Sequence, residues 1–254
     1  MKYQKLFEPA VIGSLDLRNR IVLSPMHTNF TISNKYAERY IEYYKERAKG
    51  GVGLIITAHV MAEIDVDPYP TTFGYPTLDS ASEIKYFAEL TEGVHEYGAK
   101  IAIELSPGTG RLADEIIEGK PPVGPSEIPL LMMPDIKTRE LTRAEIKQLV
   151  ESYGRAAGFA KQAGFDAIYV HFLAYLGDQF LSSCWNHRQD EYGGSLENRM
   201  RFLVECIESA RSYVGEDFPL IVGLALDHGF PGGRELDETI EIVKRLEPLK
   251  IDAL

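Results

Sequence analysis

Residues 143–170 read RAEIKQLVESYGRAAGFAKQAGFDAIYV, and this stretch carries the pattern that decides the fold. Residues 143–164 have the apolar spacing of a helix and end on a glycine, which commonly follows a helix. Residues 167–170 form an apolar run that is too short for a helix and predicts a buried strand. A helix that leads directly into such a strand is one unit of a parallel sheet, because parallel strands need a crossover between them.

The same alternation of helices and apolar runs continues on both sides of this unit. Further strands are predicted over residues 20–26, 52–58, 100–105, 220–226 and 251–254, and further helices over residues 35–50, 80–98, 195–214 and 236–246. This order predicts the α/β class with a parallel sheet. No strand is followed by a GxGxxG or GxxxxGK turn, so the pattern favours a (β/α)8 TIM barrel over an open dinucleotide-binding sheet.

The predicted barrel is incomplete, with about six of its eight strands present. Two more units need roughly 60–80 residues, and an unclosed barrel leaves two strand edges exposed. We therefore expect residues 1–254 to form a single barrel domain that is truncated at its C-terminal end. Residues 106–142 interrupt the alternation with a proline-rich segment, which predicts a long loop insertion of the kind that forms lids or binding segments.

Composition excludes several classes of protein. The 254 residues include 27 Lys+Arg and 38 Asp+Glu, and the net charge of −11 disfavours nucleic acid and anionic membranes as partners. The two cysteines, Cys184 and Cys206, are too few for a disulfide framework. No apolar run reaches membrane-spanning length, and the N-terminus has no signal-peptide core. We expect a cytoplasmic protein without a membrane or nucleic-acid partner; a homo-oligomer is compatible with these data.

In a TIM barrel the reacting groups lie at the carboxyl ends of the strands, where four of the six histidines fall. A metal hydrolase would use a set of imidazoles and carboxylates there, namely His27, His59, Glu104, His171 and Asp227. The first strand lacks the usual pair of histidines two residues apart, so we predict no metal site. A Schiff-base aldolase needs a lysine inside the barrel, and Lys100 begins its strand at the wrong end. The third alternative is a flavin site in which Tyr175 acts as a neutral proton donor.

Each of these residues also has a structural alternative. Tyr175 can be a packing residue, and His59, His187 and His228 can be hydrogen-bonded histidines of the surface or of loops. Trp185 is the only tryptophan and is expected to pack a loop. The segment DEYGGS at residues 190–195 can be a loop that ends in a helix N-cap at Ser195.

Four segments resemble one family of enzymes. They are LFEPAVIGSLDLRNRIVLSPM (6–26), YYKERAKGGVGLIIT (43–57), YLGDQFLSS (175–183) and NHRQDEYGGSLENRMRF (186–202). Together they resemble the Old Yellow Enzyme, or NADH:flavin oxidoreductase, family, nearest its 2,4-dienoyl-CoA reductase and enoate reductase branch. The resemblance implies a (β/α)8 barrel that binds FMN at its carboxyl mouth. It also implies hydride transfer from NADH or NADPH through the flavin to the activated C=C bond of an enone, enoate or enoyl thioester.

The resemblance also implies roles for individual residues. The residues placed at the flavin are Ser24, Pro25, Met26, His27, Ala58, Glu104 and Ala225. His171 matches the histidine that polarises the substrate oxygen, and Tyr175 matches the tyrosine that donates a proton. A donor opposite the arriving hydride quenches the enolate charge that builds on the substrate.

Two of these positions depart from the family pattern. Glu104 replaces a glutamine that hydrogen-bonds the flavin, and Ala225 replaces an arginine that supports the charge of the reduced flavin. Leu173 also replaces a polar partner of His171. A degenerate, non-catalytic homologue that binds FMN poorly is therefore the alternative to an active reductase.

Overall fold

The computed structural model describes residues 3–32, 35–36, 38–68, 75–113 and 119–254. In chain order its strands are β1 (Ala10–Ile12), β2 (Leu15–Leu17), β3 (Val22–Leu23), β4 (Thr31–Ile32), β5 (Lys35–Tyr36), β6 (Leu54–Ile56), β7 (Val60–Met61), β8 (Lys100–Ser106), β9 (Val123–Gly124), β10 (Arg139–Glu140), β11 (Ala167–Phe172) and β12 (Leu220–Leu224). The α-helices are α1 (Glu38–Lys49), α2 (Ile84–His95), α3 (Arg143–Gln162), α4 (Leu176–Leu181), α5 (Leu196–Val214) and α6 (Leu236–Leu246). None of these helices combines the length and the apolar character that crossing a bilayer requires.

One parallel sheet organises these elements. Its strand order is β12-β11-β8-β6-β3, and β7 continues the pairing along the end of β8. Ala253 adds a single parallel bridge to Ile221 on the outer side of β12, where the sixth strand is expected. Helices α1, α2, α3 and α5 provide the crossovers, as the alternation in the sequence predicts. The chain is thus an α/β protein with a curled, half-barrel sheet of the TIM-barrel type.

The amino-terminal end of the sheet is closed by the hairpin of β1 and β2. Leu15 and Leu17 of this hairpin are buried against side chains from the inner face of the sheet, which are Leu54, Ile56, Ala102, Ala167 and Ile221. A larger apolar core fills the space between the outer face and the helices. Because the hairpin occupies the amino-terminal end, any ligand site on the inner face is directed to the carboxyl end.

Several predicted boundaries need correction. The helix expected at residues 35–50 begins only at Glu38, because Lys35 and Tyr36 pair with Thr31 and Ile32 in a short antiparallel ladder. The short helix α4 was not predicted at all. Strand β11 continues to Phe172, so His171 lies within the strand rather than after it. The strands predicted at 20–26, 52–58 and 220–226 are shorter in the structure than expected.

The loop insertion at residues 106–142 is mostly irregular where the structure describes it, outside residues 114–118. It is nevertheless packed, because Val123, Ile128 and Leu141 are buried and β9 pairs with β10. Arg188 donates hydrogen bonds to the carbonyl oxygens of Pro125 and Leu141. This segment is therefore anchored at both Pro125 and Leu141, and its role as a substrate lid stays a prediction.

Candidate functional site

Five aromatic rings gather at the carboxyl end of the sheet, and we call them the mouth cluster. Its members are His27, His59, Tyr75, His171 and Tyr175. Ring centroids are 4.2 Å apart for His27 and Tyr75, 4.4 Å for His59 and Tyr175, and 5.1 Å for His171 and Tyr175. His27 follows β3, His59 follows β6, and His171 and Tyr175 lie at the end of β11 and after it. The sheet therefore brings together these four candidate residues, which the sequence places at strand ends.

Tyr175 lies directly before α4 and is half-buried. Its hydroxyl oxygen is 3.1 Å from that of Tyr75, a residue that the sequence analysis did not single out. The turn that presents Tyr175 contains Ala174 at a φ of 65°, and the backbone N–H of Ala174 donates to Asp178 Oδ2 at 3.0 Å. The carboxylate of α4 therefore fixes the unusual turn that leads from β11 into the site.

His171 and Glu104 form a close pair inside the mouth. The distance from His171 Nδ1 to Glu104 Oε1 is 2.7 Å, and both residues are buried. The approach departs from the direction of the ring N–H, so the two side chains are in close polar contact without an aligned hydrogen bond. Among the described residues, Nε2 of His171 has no hydrogen-bond partner, and this nitrogen is available to a ligand.

His59 is a buried member of the cluster, so the alternative of a surface histidine is wrong for this residue. Burial lowers its pKa well below the ordinary value, and the charges of His171 and His27 lower it further. Its Nε2 is 3.1 Å from the sulfur of Met61. His59 is therefore neutral and acts as a packing surface for Tyr175 and Tyr75.

The residues expected along the flavin ring lie at the same end of the sheet. Ser24, Met26 and His27 are exposed and Pro25 is half-buried, all in the irregular segment after β3. Ala58 is buried, and its backbone N–H already donates to the hydroxyl of Tyr44 at 2.7 Å. Ala58 can therefore contact a ligand closely, but its amide N–H is already used in a hydrogen bond. The exposed residues after β3 and the unpartnered imidazole nitrogen of His171, both at the carboxyl end of the sheet, fit a flat ring with polar edges such as that of FMN.

Ala225 lies just beyond β12, and its backbone carbonyl is contacted by the side chain of Arg234. Arg234 Nη2 donates to the Ala225 carbonyl at 2.9 Å, but the same atom is 2.8 Å from Asp178 Oδ1. Both Arg234 and Asp178 are buried, so the charge of this arginine is paired within the protein. No pattern in the sequence singles out Arg234 or Asp178, which are 56 positions apart and meet only through the fold.

His228 and Trp185 have structural roles beside this ion pair. Nε2 of His228 is 3.1 Å from Asp178 Oδ2, and its Nδ1 accepts a hydrogen bond from the backbone N–H of Arg234. Its ring stacks on Trp185 at a centroid distance of 4.8 Å. Both residues pack the loop after β12, as their structural alternatives predict.

The residues named for a metal site or a Schiff base are arranged differently from what those chemistries need. Among the described residues, no group of three His, Cys, Asp or Glu side chains could hold a metal ion. Asp227, the fifth member of the metal set, is exposed, and its carboxylate accepts from the backbone N–H of Gly229. Lys100 lies at the opposite, amino-terminal end of the sheet, where it donates to Asp166 at 2.8 Å. A Schiff base at Lys100 is therefore excluded from the mouth.

The motif at residues 186–199 is a structural clamp. Asn186 donates to the carbonyl oxygens of Phe180 and Tyr192, and Arg188 pairs with Asp190. The side chain of Ser195 accepts from the N–H of Asn198 and caps α5, which confirms the structural alternative for this segment. Arg199 pairs with Glu238 of α6. These contacts tie α4, α5, α6 and the loop insertion together.

Comparisons with known proteins agree with the fold and with the motifs. The chain is 40% identical over 272 residues to cinnamate reductase of Clostridium sporogenes, an alignment that covers 100% of this chain and 41% of that protein. It is 36% identical to an NADPH dehydrogenase of Halalkalibacterium halodurans, with coverage of 98% and 72%. The solved structure of 2-naphthoyl-CoA reductase with 2-naphthoyl-CoA superposes with a TM-score of 0.88 at 32% identity, covering 98% of this chain and 40% of that one.

This chain therefore spans about two fifths of the length of cinnamate reductase. Residues 5–254 match the model of a family that uses FMN as its cofactor. The match covers nearly the whole chain and includes every residue of the mouth cluster. The chain belongs to the NADH:flavin oxidoreductase / NADH oxidase family.

Proposed function

We propose that this chain forms the flavin- and substrate-binding mouth of an FMN-dependent ene-reductase that uses NADH or NADPH. The observation that supports this most directly is the pairing of a half-buried tyrosine with a histidine at the carboxyl end of the sheet. The ring centroids of Tyr175 and His171 are 5.1 Å apart, so both can contact one small ligand.

The residues proposed to hold FMN share one end of the sheet. They are Ser24, Pro25, Met26 and His27 after β3, Ala58 after β6, Glu104 on β8 and Ala225 after β12. When it is bound, FMN supplies hydride transfer between the nicotinamide and the activated alkene. The mouth cluster, in turn, is proposed to bind the alkene and to control its protons.

Tyr175 is proposed to hold the proton that the substrate carbon receives. A phenol is a neutral donor near pH 7, and a donor placed where negative charge develops stabilises the transition state. The hydroxyl of Tyr75, 3.1 Å away, orients the hydroxyl of Tyr175, and the neutral ring of His59 packs against its ring.

His171 is proposed to bind the oxygen that activates the alkene, through its unpartnered Nε2. The substrate class is then a small enone, enoate or enoyl thioester, because each carries a carbonyl or carboxylate oxygen conjugated to the C=C bond. The names of similar proteins support this class, since one is a cinnamate reductase and another was solved with 2-naphthoyl-CoA.

Replacing Tyr175 by Phe tests this assignment. We expect alkene reduction to slow by about 100-fold or more, because the loss of a positioned general acid typically costs this much. Reduction of the flavin by the nicotinamide should change little, since no proton from Tyr175 is needed in that half-reaction. Both rates can be measured separately by stopped-flow absorbance of the flavin.

Tyr97→Phe is the matched control, because Tyr97 follows α2 at the opposite end of the sheet. An equal loss of both half-reactions in Tyr175→Phe would contradict the proton-donor role. A protein that takes up no FMN would instead favour the non-catalytic homologue.

A further inference from the structure

A buried carboxylate lies against the proposed substrate-binding histidine. Glu104 is 5% exposed and His171 is 6% exposed, with 2.7 Å between Oε1 and Nδ1. Strands β8 and β11 are neighbours in the sheet, and their register places Tyr169 opposite Glu104. His171 is two residues beyond Tyr169 and so points to the same face of the sheet as Glu104.

A buried carboxylate needs a compensating positive charge or a proton. Among the described residues, no lysine or arginine pairs with Glu104, and His171 is the one basic side chain within ion-pair distance of it. Four other ionisable groups around the pair are neutral. His59 is neutral because burial lowers its pKa, and burial, assisted by the charge of Glu104, raises the pKa values of Tyr44, Tyr153 and Tyr169.

The chemistry of the two side chains limits what Nε2 of His171 can offer. A carboxylate only accepts hydrogen bonds, so it favours a proton on Nδ1. A neutral ring with its single proton on Nδ1 would present a bare lone pair at Nε2, which repels a carbonyl oxygen. Only the doubly protonated ring satisfies Glu104 and still donates from Nε2.

We propose that Glu104 is a positioning residue that holds His171 doubly protonated, so that Nε2–H donates to the carbonyl oxygen of the substrate. This inference rests on the proposed function for the identity of the ligand. A glutamine in its place could donate its amide N–H to Nδ1 of a neutral ring and leave the single proton on Nε2. Glutamate and glutamine therefore both give a donor at Nε2, but only glutamate gives a charged one.

Nitrogen-15 NMR of the purified protein labelled in its histidines tests this charge state. At pH 8, above the ordinary histidine pKa of about 6.5, both ring nitrogens of His171 should carry protons in the native protein. In Glu104→Gln one of the two should lose its proton. The signals of His171 are identified by their loss in His171→Ala.

Glu63→Gln is the matched control, because Glu63 is also a buried glutamate but accepts from the backbone N–H groups of Asp65 and Val66. It should leave the His171 signals unchanged. A singly protonated His171 in the native protein would overturn the proposal, whatever Glu104→Gln shows.

Calorimetric binding of acetophenone, which has a carbonyl oxygen and no N–H or O–H, tests the second half of the proposal. Glu104→Gln should weaken binding by about tenfold, because a charge-assisted hydrogen bond becomes a neutral one. An unchanged Kd would overturn the role of the charge. The FMN content of the same samples is measured separately. A loss of flavin binding, which bears on the proposed function, is thereby distinguished from an unchanged Kd, which bears on the role of Glu104.

Discussion

Arg188 shows how single residues connect the sequence motif to the architecture around the site. Its side chain is 3% exposed, and it donates to the carbonyl oxygens of Pro125 and Leu141 while it pairs with Asp190 at 2.6 Å. A guanidinium can satisfy several acceptors in fixed directions, which a lysine cannot do. One residue of the motif therefore holds the loop insertion against the start of α5.

Arg188→Ala is expected to lower the free energy of unfolding by about 3 kcal/mol, because it leaves buried carbonyl oxygens and Asp190 without their partner. Urea titration followed by circular dichroism measures this change. The exposed Arg20 provides the control, and Arg20→Ala should stay within about 0.5 kcal/mol of the native protein. Similar losses in both variants would contradict the clamp.

Individual site residues differ in how far the sequence reveals them. His171 and Tyr175 could be predicted because they follow an apolar run, and the carboxyl ends of parallel strands meet. Tyr75 could not, since it is 100 residues from Tyr175 and their contact depends on the folded chain. The pairing of Glu104 with His171 was missed for the same reason, although each residue was named by itself.

At the scale of elements, periodicity predicts most of the fold but not its short pieces. Helices α3, α5 and α6 lie where the apolar spacing predicts them, and Ser195 is the N-cap of α5. Helix α4 was missed because its six residues, all of them buried, are too few to show a helical period in the sequence. The start predicted for α1, at residue 35, was wrong because Lys35 and Tyr36 form strand β5, which pairs with β4.

The N-terminus of α3 offers a test of pH dependence. Hydrogen bonds from Arg139 lower the pKa of Glu145 from 4.5 to about 2, and Glu145 also completes a capping box with Thr142. A folded-state pKa below the unfolded value gives stability that is present above pH 4.5 and is lost as the pH falls towards 2.

Glu145→Gln should therefore lower the free energy of unfolding by about 1 kcal/mol at pH 7. The difference from the native protein should shrink as the pH is lowered from about 4.5 to 2. Denaturant titrations at several pH values measure it, with the exposed Glu197→Gln as control. A difference that stays constant over this range would show that the ionised carboxylate is not responsible.

At the scale of the molecule, the hairpin and the mouth divide the inner face of the sheet. Leu15 and Leu17 close the amino-terminal end, and the mouth cluster lies at the carboxyl end. TIM-barrel enzymes in general divide stability and catalysis in this way, with the active site at the carboxyl end. Glu104 and Ala225, which depart from the family pattern, both lie at the carboxyl end, where Glu104 contacts His171 and the carbonyl oxygen of Ala225 accepts a hydrogen bond from Arg234.

The central claim is that this mouth binds FMN, and the flavin content of the purified protein tests it most directly. We predict a yellow protein that carries FMN in an equimolar amount, or takes it up when FMN is added, and that loses its colour when NADH or NADPH is added without oxygen. A colourless protein that does not take up FMN at saturating concentration would contradict the claim.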